Sequence, residues 1–263
     1  MIRKIFVSLQ KFLYMTLNEL KFLCSLQRKK FRREHRCFVV EGGRSVREAL
    51  QSDYTVKQVY ATKQYMDRHP DFSHEVHLVS EKDSERISSL FTAPDIFALV
   101  EMKPEIPFPT GRYKKLLLLD GIQNAGNVGT IIRTADWFGI QCVICSEDTA
   151  EFYNPKTIQA TMGSFTRVEV YTADLCDFIK THENTYAFIG TFMDGQPIGT
   201  YSFPEYSAIV FGKESIGISL EVSSLIREKI SIPRGNQDRE TEILPDSLNV
   251  SLSSAIICYE LRK

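Results

Sequence analysis

The second half of the sequence alternates short apolar runs with amphipathic helical patterns. The apolar runs lie at 116–119, 142–145, 168–171, 186–192, 208–211 and 229–232. The helical patterns lie at about 128–138, 155–161, 173–182, 218–227 and 248–261. Strands that are joined through helices pair in parallel, and the helices then cover both faces of the sheet. The sequence therefore predicts an α/β unit with a mostly parallel sheet, whose ligand site lies in the loops after the strands.

A proline-rich segment separates this unit from the first part of the chain. Three prolines fall within six residues of segment 103–111, and proline resists both helix and sheet. Upstream, a capping-box pair, Thr16 and Glu19, opens a helix that extends to about residue 28. Further patterns predict strands at 37–40, 56–61, 76–80 and 96–100 and helices at 44–51 and 83–90. We predict an N-terminal extension at 1–14, a small α/β/α domain at 15–102, a linker at 103–113 and a second domain at 114–263.

Composition excludes several classes of protein. Hydrophobic residues make up 43% and charged residues 25% of the 263, which is typical of a globular chain and not of a disordered one. No apolar run approaches the roughly 18 residues that span a bilayer, so we expect neither a membrane span nor a signal peptide. The six scattered cysteines do not form a disulfide framework, which favours a reducing cytoplasm. Cys142 and Cys145 form a C-x-x-C on a predicted strand, where alternation sends the two thiols to opposite faces, so we expect no metal site.

Positive charge is concentrated near the N-terminus. Residues 1–47 contain 12 Lys and Arg against 3 Asp and Glu, a net of +9, although the whole chain has a net charge of −1. The charge peaks in a basic cluster at residues 28–36, whose cationic side chains are Arg28, Lys29, Lys30, Arg32, Arg33 and Arg36, with His35 beside them. Such a cluster suits contacts with nucleic-acid phosphates. A solvated helix end is the alternative, and this segment alone does not decide between the two.

Three loops after predicted strands carry polar residues that a simple turn does not require. The first, 120–136, contains N-A-G-N at 124–127 followed by Arg133, and it matches neither a Walker A loop nor G-x-G-x-x-G. The second, 211–219, places Glu214 between two glycines at a strand-to-helix turn. The third joins I-P at 232–233 to a last helix whose first turns are unusually polar. Polar groups at a packed helix start need partners, and a bound ligand is one candidate.

Taken together, these three motifs resemble those of the SpoU, or TrmH-type, branch of the SPOUT RNA methyltransferases. They read N-A-G-N-V-G-T-I-I-R-T-A at 124–135, F-G-K-E-S-I-G-I-S at 211–219, and I-P with S-L-N-V-S at 232–233 and 247–251. More weakly, L-Q-R-K-K-F-R at 26–32 with F-V-V-E-G at 38–42 resembles an L30e-like substrate-binding domain. The resemblance implies an α/β fold with a deep C-terminal trefoil knot. It also implies a homodimer that uses S-adenosylmethionine to methylate a ribose 2′-hydroxyl of rRNA, with tRNA as the alternative.

Matched by motif position, the resemblance also implies roles for individual residues. Around the reaction centre it places Asn124, Arg133, Glu214, Ser247 and Asn249. In the cofactor pocket it places Thr191, Gly212, Gly217, Ile232, Leu248 and Ser251. Because a guanidinium is a poor base, we expect Arg133 to stabilise the developing alkoxide and to hold a phosphate. Asn124 and Asn249 are expected to orient Arg133 and the pocket loops, while Glu214 holds the loops together.

The sequence departs from the family pattern at a few positions. Ala125 stands where proline is common, and Lys213 and Ser215 replace residues that are more often small or acidic. Thirteen residues, 234–246, separate Pro233 from Ser247, about twice the usual number, and we favour a solvated loop over a lid or a substrate contact. A non-catalytic RNA-binding or ribosome-assembly protein that keeps the knot is the alternative function. Intact Arg133 and Asn249 favour the enzyme.

Overall fold

The computed structural model describes residues 13–235 and 247–262, and it forms two compact units that meet between Met102 and Lys103. Most of the predicted 1–14 extension and most of the 234–246 insertion lie outside the described residues. Of the extension, Leu13 and Tyr14 are described, and they form a short strand at the edge of the first sheet. No helix in the described part of the chain is long and apolar enough to cross a membrane.

The first unit is a five-stranded mixed sheet with helices packed against it. Its elements are β1 (Leu13–Tyr14), α1 (Leu17–Ser25), α2 (Lys29–His35), β2 (Cys37–Glu41), α3 (Gly43–Gln51), β3 (Val56–Ala61), α4 (Lys63–Arg68), β4 (Val76–Leu78), α5 (Glu81–Ile87) and β5 (Ile96–Glu101). The strand order is β1-β4-β3-β5-β2, and β5 runs antiparallel to both β2 and β3. The predicted strands and helices of this region are therefore present, while α2 and α4 were not predicted as separate helices.

The capping box at Thr16 and Glu19 is confirmed, but α1 ends at Ser25 and the basic cluster forms its own helix, α2. Arg32 does not lie with the exposed cations of that cluster. It is 2% exposed, and its Nη1 donates to the carbonyl oxygens of Leu26 and Gln27, both at 2.9 Å. The guanidinium thus satisfies carbonyl groups that the end of α1 leaves without helical partners. The expectation that Arg32 contacts RNA is wrong, because its side chain is buried and hydrogen-bonds to the turn between α1 and α2.

The second unit is a six-stranded sheet in which every pair of neighbouring strands is parallel, as predicted. Its elements are β6 (Lys115–Leu119), α6 (Ala125–Trp137), β7 (Cys142–Cys145), α7 (Pro155–Thr161), β8 (Glu169–Thr172), α8 (Leu175–His182), β9 (Ala187–Pro197), β10 (Ser207–Phe211), α9 (Leu220–Ser223), β11 (Glu228–Ser231) and α10 (Val250–Leu261). The strand order is β11-β9-β10-β6-β7-β8. The carboxyl ends of all six strands therefore meet at one edge of the sheet.

Both faces of this sheet are buried. One core cluster contains Val143 and Cys145 with residues of α6 and α10, and the other contains Cys142 and Ile144 with residues of α8. The two cysteines therefore point to opposite faces, as strand alternation predicts. Burial raises the pKa of the Cys145 thiol to about 12 and that of Cys142 further still. Both thiols are core side chains.

Three elements of the second unit differ clearly in length from the sequence patterns. The helix predicted at 218–227 is short, since α9 spans only Leu220–Ser223. Helix α6 begins at Ala125, three residues before the apolar pattern, because the Asn124 side chain caps it. Strand β9 extends to Pro197, since β11 pairs with Gln196 and Pro197 after a register shift. The cap draws the N-A-G-N motif into the first turn of α6, which brings Asn127 towards the edge where the strands end.

Candidate active site

The carboxyl edge of the second sheet carries all three polar loops, which follow β6, β10 and β11, and it also carries the loop after β7. Residue 120 follows β6, residue 146 follows β7, and the segment Gly212–Ser219 follows β10. Because β6, β7 and β10 are parallel and β6 lies between the other two, these loops are neighbours. The sequence prediction that the site lies in loops after the strands agrees with this arrangement.

A single carboxylate joins the three motifs. Glu214 Oε1 accepts hydrogen bonds from Asn127 Nδ2 at 2.8 Å and from Asn249 Nδ2 at 2.6 Å. It also accepts one from the main-chain N–H of Val250 at 3.4 Å, and Asn249 Nδ2 lies 3.3 Å from Asn127 Oδ1. We call the hydrogen bonds of Glu214 to Asn127 and Asn249 the motif junction. Because the three residues are far apart in the sequence, the junction holds the first turn of α6, the loop after β10 and the first turn of α10 together.

Asn124 and Asn249 are both helix caps. Asn124 Oδ1 accepts from the main-chain N–H groups of Gly126 and Asn127, at 2.9 and 3.2 Å. Asn249 Oδ1 accepts from the N–H and the hydroxyl of Ser251, at 3.0 and 2.6 Å. These bonds satisfy orphan donors at the two helix starts. Neither asparagine contacts Arg133, so we find no support for the expectation that they orient it directly; they position the loops.

Arg133 lies on α6, two turns beyond its cap, with an exposed side chain. Within residues 13–235 and 247–262 its guanidinium has no hydrogen-bond or ion-pair partner, and Ser247 is likewise exposed, two residues before the Asn249 cap. Several exposed cations of this unit have acidic partners: Lys114 contacts Glu205, for instance, and Arg167 contacts Asp136. An arginine that is held on a rigid helix without such a partner is available to an anionic ligand.

The residues expected around a cofactor are divided between β9, the loop after β10 and the last segment. Thr191 donates its hydroxyl to the carbonyl oxygen of Val210 at 3.0 Å, so it connects β9 to β10. Lys213 and Gly217 exchange two main-chain hydrogen bonds, at 2.9 and 2.8 Å, and these close the loop. Gly217 has a positive φ of 72°, and a methyl group added at Gly212 would overlap the main chain of Gly217 and Ile218. Only glycine fits at position 212.

The same edge exposes apolar side chains beside these polar loops. Ile216 is 69% exposed and Leu248 is 48% exposed, and they lie two residues and one residue from the bonded pair Glu214 and Asn249. Ile232 is half-buried against the core, and the Ser251 hydroxyl belongs to the α10 cap. Apolar surface next to main-chain groups is what an adenine nucleoside with charged substituents requires. The described residues therefore fit S-adenosylmethionine, and they include no group of His, Cys, Asp and Glu side chains that could hold a metal ion.

A second set of contacts at this edge was not expected from the sequence. Asp120 is 7% exposed, and its Oδ2 accepts from the main-chain N–H of Ser219 at 2.7 Å. Lys213 Nζ lies 2.8 Å from Asp148 Oδ2 in the loop after β7. The only sequence signal was that both aspartates follow apolar runs and that Lys213 departs from the family pattern.

The first unit exposes cations on and around α2. Arg28, Lys29, Lys30, Arg33 and Arg36 are all exposed. The adjacent loop after α5 is tied to this region, because Gln27 Nε2 donates to the carbonyl oxygen of Ile87 at 2.9 Å. That loop exposes Phe91 completely, at 107%. The aromatic side chain was missed in the sequence, since a single phenylalanine after a helix has no distinguishing pattern.

Each of the two units matches a known protein family or domain. The SpoU rRNA Methylase family profile matches residues 114–259, and the profile of the MRM3-like substrate binding domain matches residues 18–98. The chain is 29% identical over 242 residues to the 23S rRNA (guanosine(2553)-2′-O)-methyltransferase RlmP of Bacillus subtilis. That alignment covers 90% of this chain and 93% of the relative.

Solved structures share the fold over nearly the whole chain. A TrmH-family protein from Porphyromonas gingivalis superposes with a TM-score of 0.81 at 34% identity, covering 94% of this chain and 97% of that one. An AdoMet-bound rRNA methyltransferase from Sinorhizobium meliloti superposes with a TM-score of 0.78 at 25% identity, covering 95% and 96%. Both comparisons extend across the two units.

Proposed function

The chain belongs to the SpoU rRNA methylase family, and from this premise we propose that it transfers a methyl group from S-adenosylmethionine to a ribose 2′-hydroxyl of ribosomal RNA. The single observation that carries the proposal is the motif junction, in which Glu214 binds Asn127 and Asn249. It assembles the three motifs whose resemblance implies this chemistry. The Bacillus subtilis relative is named for 2′-O-methylation of 23S rRNA, which supports a ribosomal substrate.

Bound S-adenosylmethionine supplies the methyl group, and the protein has to align the acceptor oxygen and stabilise the charge that forms on it. Arg133 is the described cation that suits this second task, because it is exposed on α6 and keeps its charge at neutral pH. Its planar guanidinium can contact the 2′-oxygen and a flanking phosphate together. Proton removal then falls to a polar neighbour or to water, since arginine is a poor base.

Glu214 acts on the geometry of the site. Its partners are neutral amides, so it joins the loops through hydrogen bonds to its carboxylate and not through an ion pair. Hydrogen bonds to charged groups are roughly twice as strong as neutral ones. Asn124 and Asn249 complete this framework by capping α6 and α10. Gly212, Gly217, Leu248 and the segment around Ile232 would hold the cofactor.

We further infer a homodimer through the knotted second unit. An apolar strip on α6 and α10 is exposed: Trp137 is 84% exposed, Leu252 59%, Ile256 40% and Tyr259 46%. Phe138 and Tyr259 rings lie 6.4 Å apart, which places the end of α6 beside the end of α10. An exposed apolar face of this kind is typical of an interface between protein chains. The trefoil knot of the second unit is part of the same proposal.

The dimer proposal predicts that Ile256→Asp converts the protein to a monomer. A carboxylate on each side of a twofold interface is desolvated opposite apolar side chains, and it is repelled by its own copy. Sedimentation velocity measures the change in mass. Ile106→Asp, which places a charge on an exposed apolar position of the linker, is the control and leaves the dimer intact. A dimeric I256D protein would contradict this interface.

The first unit is proposed to hold the RNA through the exposed cations of α2, with Phe91 stacking on an unpaired base. Lys29→Ala/Lys30→Ala is expected to weaken RNA binding and to reduce the slope of log K against log salt by about 2, one for each phosphate contact. Lys63→Ala/Lys82→Ala, which removes two exposed lysines from α4 and α5, is the matched control. Filter binding over a salt series measures both. Equal slopes for the two double variants would contradict this surface.

A substrate assay tests the proposed function. The protein is incubated with radiolabelled S-adenosylmethionine and total RNA, and the RNA is then separated by size. Label in ribosomal RNA supports the proposal, whereas label confined to tRNA would show that tRNA is the substrate.

We also propose that the protein acts in the cytoplasm. A ribosomal RNA substrate is consistent with this location, and so are the six free cysteine thiols, since a reducing compartment keeps thiols free.

A further inference from the structure

A salt bridge between Lys213 and Asp148 joins the loop after β10 to the loop after β7. Lys213 Nζ lies 2.8 Å from Asp148 Oδ2, and its side chain passes directly over Gly121, where an added methyl group would overlap Lys213 Cε. Lys213 is the residue at which the loop closes, through its two main-chain bonds with Gly217. The ammonium group therefore connects the base of this loop to the loop after β7.

Asp148 is itself held in place. Its Oδ1 accepts from the Ser146 hydroxyl at 2.6 Å, and the same hydroxyl accepts from the main-chain N–H of Gly121 at 2.8 Å. Hydrogen bonds from Lys213 and from Ser146 hold the pKa of Asp148 below its usual range. The carboxylate is thus fixed and charged at neutral pH, so it can restrain the lysine that it contacts.

A buried carboxylate extends the same network. Asp120 is 7% exposed and binds the N–H of Ser219, at the far end of the loop. The hydrogen bond and the charge of Asp148 raise the pKa of Lys213, and the negative charge of Asp120 raises it further. One ammonium group therefore compensates two carboxylates, one that contacts the start of the loop and one that contacts its end. Glu214, between them, makes the motif junction.

We propose that Lys213, with Asp148 and Asp120, is a positioning clamp that fixes the loop Gly212–Ser219 in the conformation that binds the cofactor. The inference rests on the proposed function, since it assumes that this loop lines the S-adenosylmethionine pocket. Lys213 acts through the loop and not by contact with the reacting atoms. Removing its charge should therefore weaken cofactor binding while the rate at saturating cofactor changes little.

Calorimetric titration with S-adenosylmethionine tests the clamp. We expect Lys213→Met to raise the Kd about 5- to 20-fold, a loss in the range of one charged hydrogen bond and its neighbours. Lys213→Arg, which keeps the charge, should stay within about twofold of the unchanged protein, and Asp148→Asn should resemble Lys213→Met. Lys114→Met breaks the exposed ion pair with Glu205 at the opposite edge of the sheet, and as the matched control it should leave the Kd unchanged.

A steady-state measurement separates positioning from a general loss of structure. Lys213→Met should raise KM for S-adenosylmethionine with kcat within about twofold, and raising the salt concentration should weaken cofactor binding by the unchanged protein more than by Lys213→Met. An unchanged protein that does not bind S-adenosylmethionine would refute the proposed function. An unchanged protein that binds, beside a Lys213→Met variant with the same Kd, or a Lys213→Arg variant as weak as Lys213→Met, would refute the clamp alone.

Discussion

Replacing Arg133 by alanine is expected to lower kcat for methyl transfer by about 10²- to 10³-fold, the typical loss when one preorganised donor to a developing oxyanion is removed. The side chain is exposed on α6 and has no hydrogen-bond or ion-pair partner among the described residues, so its removal creates no buried cavity. Alanine is also a better helix former than arginine. We therefore expect the unfolding temperature and the Kd for S-adenosylmethionine to remain unchanged, and single-turnover kinetics with saturating cofactor measures the loss.

Arg133→Lys defines the nature of that contribution. A lysine keeps the charge but not the planar pair of donors, so it should recover only a small part of the activity if bidentate alignment matters. Near-normal turnover of Arg133→Lys would assign a point-charge role instead. Lys180→Ala, which removes an exposed cation from α8 on the other face of the sheet, is the control and should retain full activity. Retention of activity by Arg133→Ala would remove the residue from the mechanism.

Gly212→Ala is expected to weaken cofactor binding by roughly 5- to 150-fold. The new methyl group would overlap the main chain of Gly217 and Ile218, which is held in place by the two bonds between Lys213 and Gly217. Backbone cannot move aside as a flexible side chain does, so the loop has to open. Overpacking of this kind costs about 1–3 kcal/mol. If that free energy is lost from cofactor binding, the affinity for S-adenosylmethionine falls roughly 5- to 150-fold.

Gly199 provides the matched control for this experiment. A methyl group at Gly199 meets no atom within 4 Å, so Gly199→Ala should bind S-adenosylmethionine as the unchanged protein does. Equilibrium dialysis with labelled cofactor measures both variants, and circular dichroism reports whether the sheet persists. Normal binding by Gly212→Ala would show that the loop tolerates opening and that it does not shape the pocket.

The sequence predicts most of the architecture because its signals are local. The runs at 142–145 and 56–61 coincide with β7 and β3, and the pattern at 155–161 coincides with α7. Each of these elements is bounded by polar or turn residues and is buried by its own apolar side chains. Of the motif junction, Glu214 and Asn249 were likewise predicted as site residues. Asn127 was assigned no role, because Asn beside Gly is common in ordinary turns and helix caps.

The missed features depend on contacts between distant segments. Arg32 belongs to a run of cations, and nothing in that run distinguishes the one whose guanidinium turns inward to the carbonyl groups of Leu26 and Gln27. The bond of Asp120 to Ser219 joins residues that are 99 positions apart. The pairing of Lys213 with Asp148 also depends on the strand order, which places β6 between β7 and β10. The spacing of residues along the chain therefore does not predict these contacts.

The position of the transferred methyl group on the nucleotide distinguishes ribose methylation from base methylation. Labelled ribosomal RNA from the reaction with S-adenosylmethionine is hydrolysed with alkali, which cleaves next to every free 2′-hydroxyl, and the products are separated by charge. We expect the label in an alkali-resistant dinucleotide, because a methylated 2′-oxygen blocks cleavage of its phosphodiester. Label in mononucleotides would place the methyl group on a base and would contradict the proposed reaction.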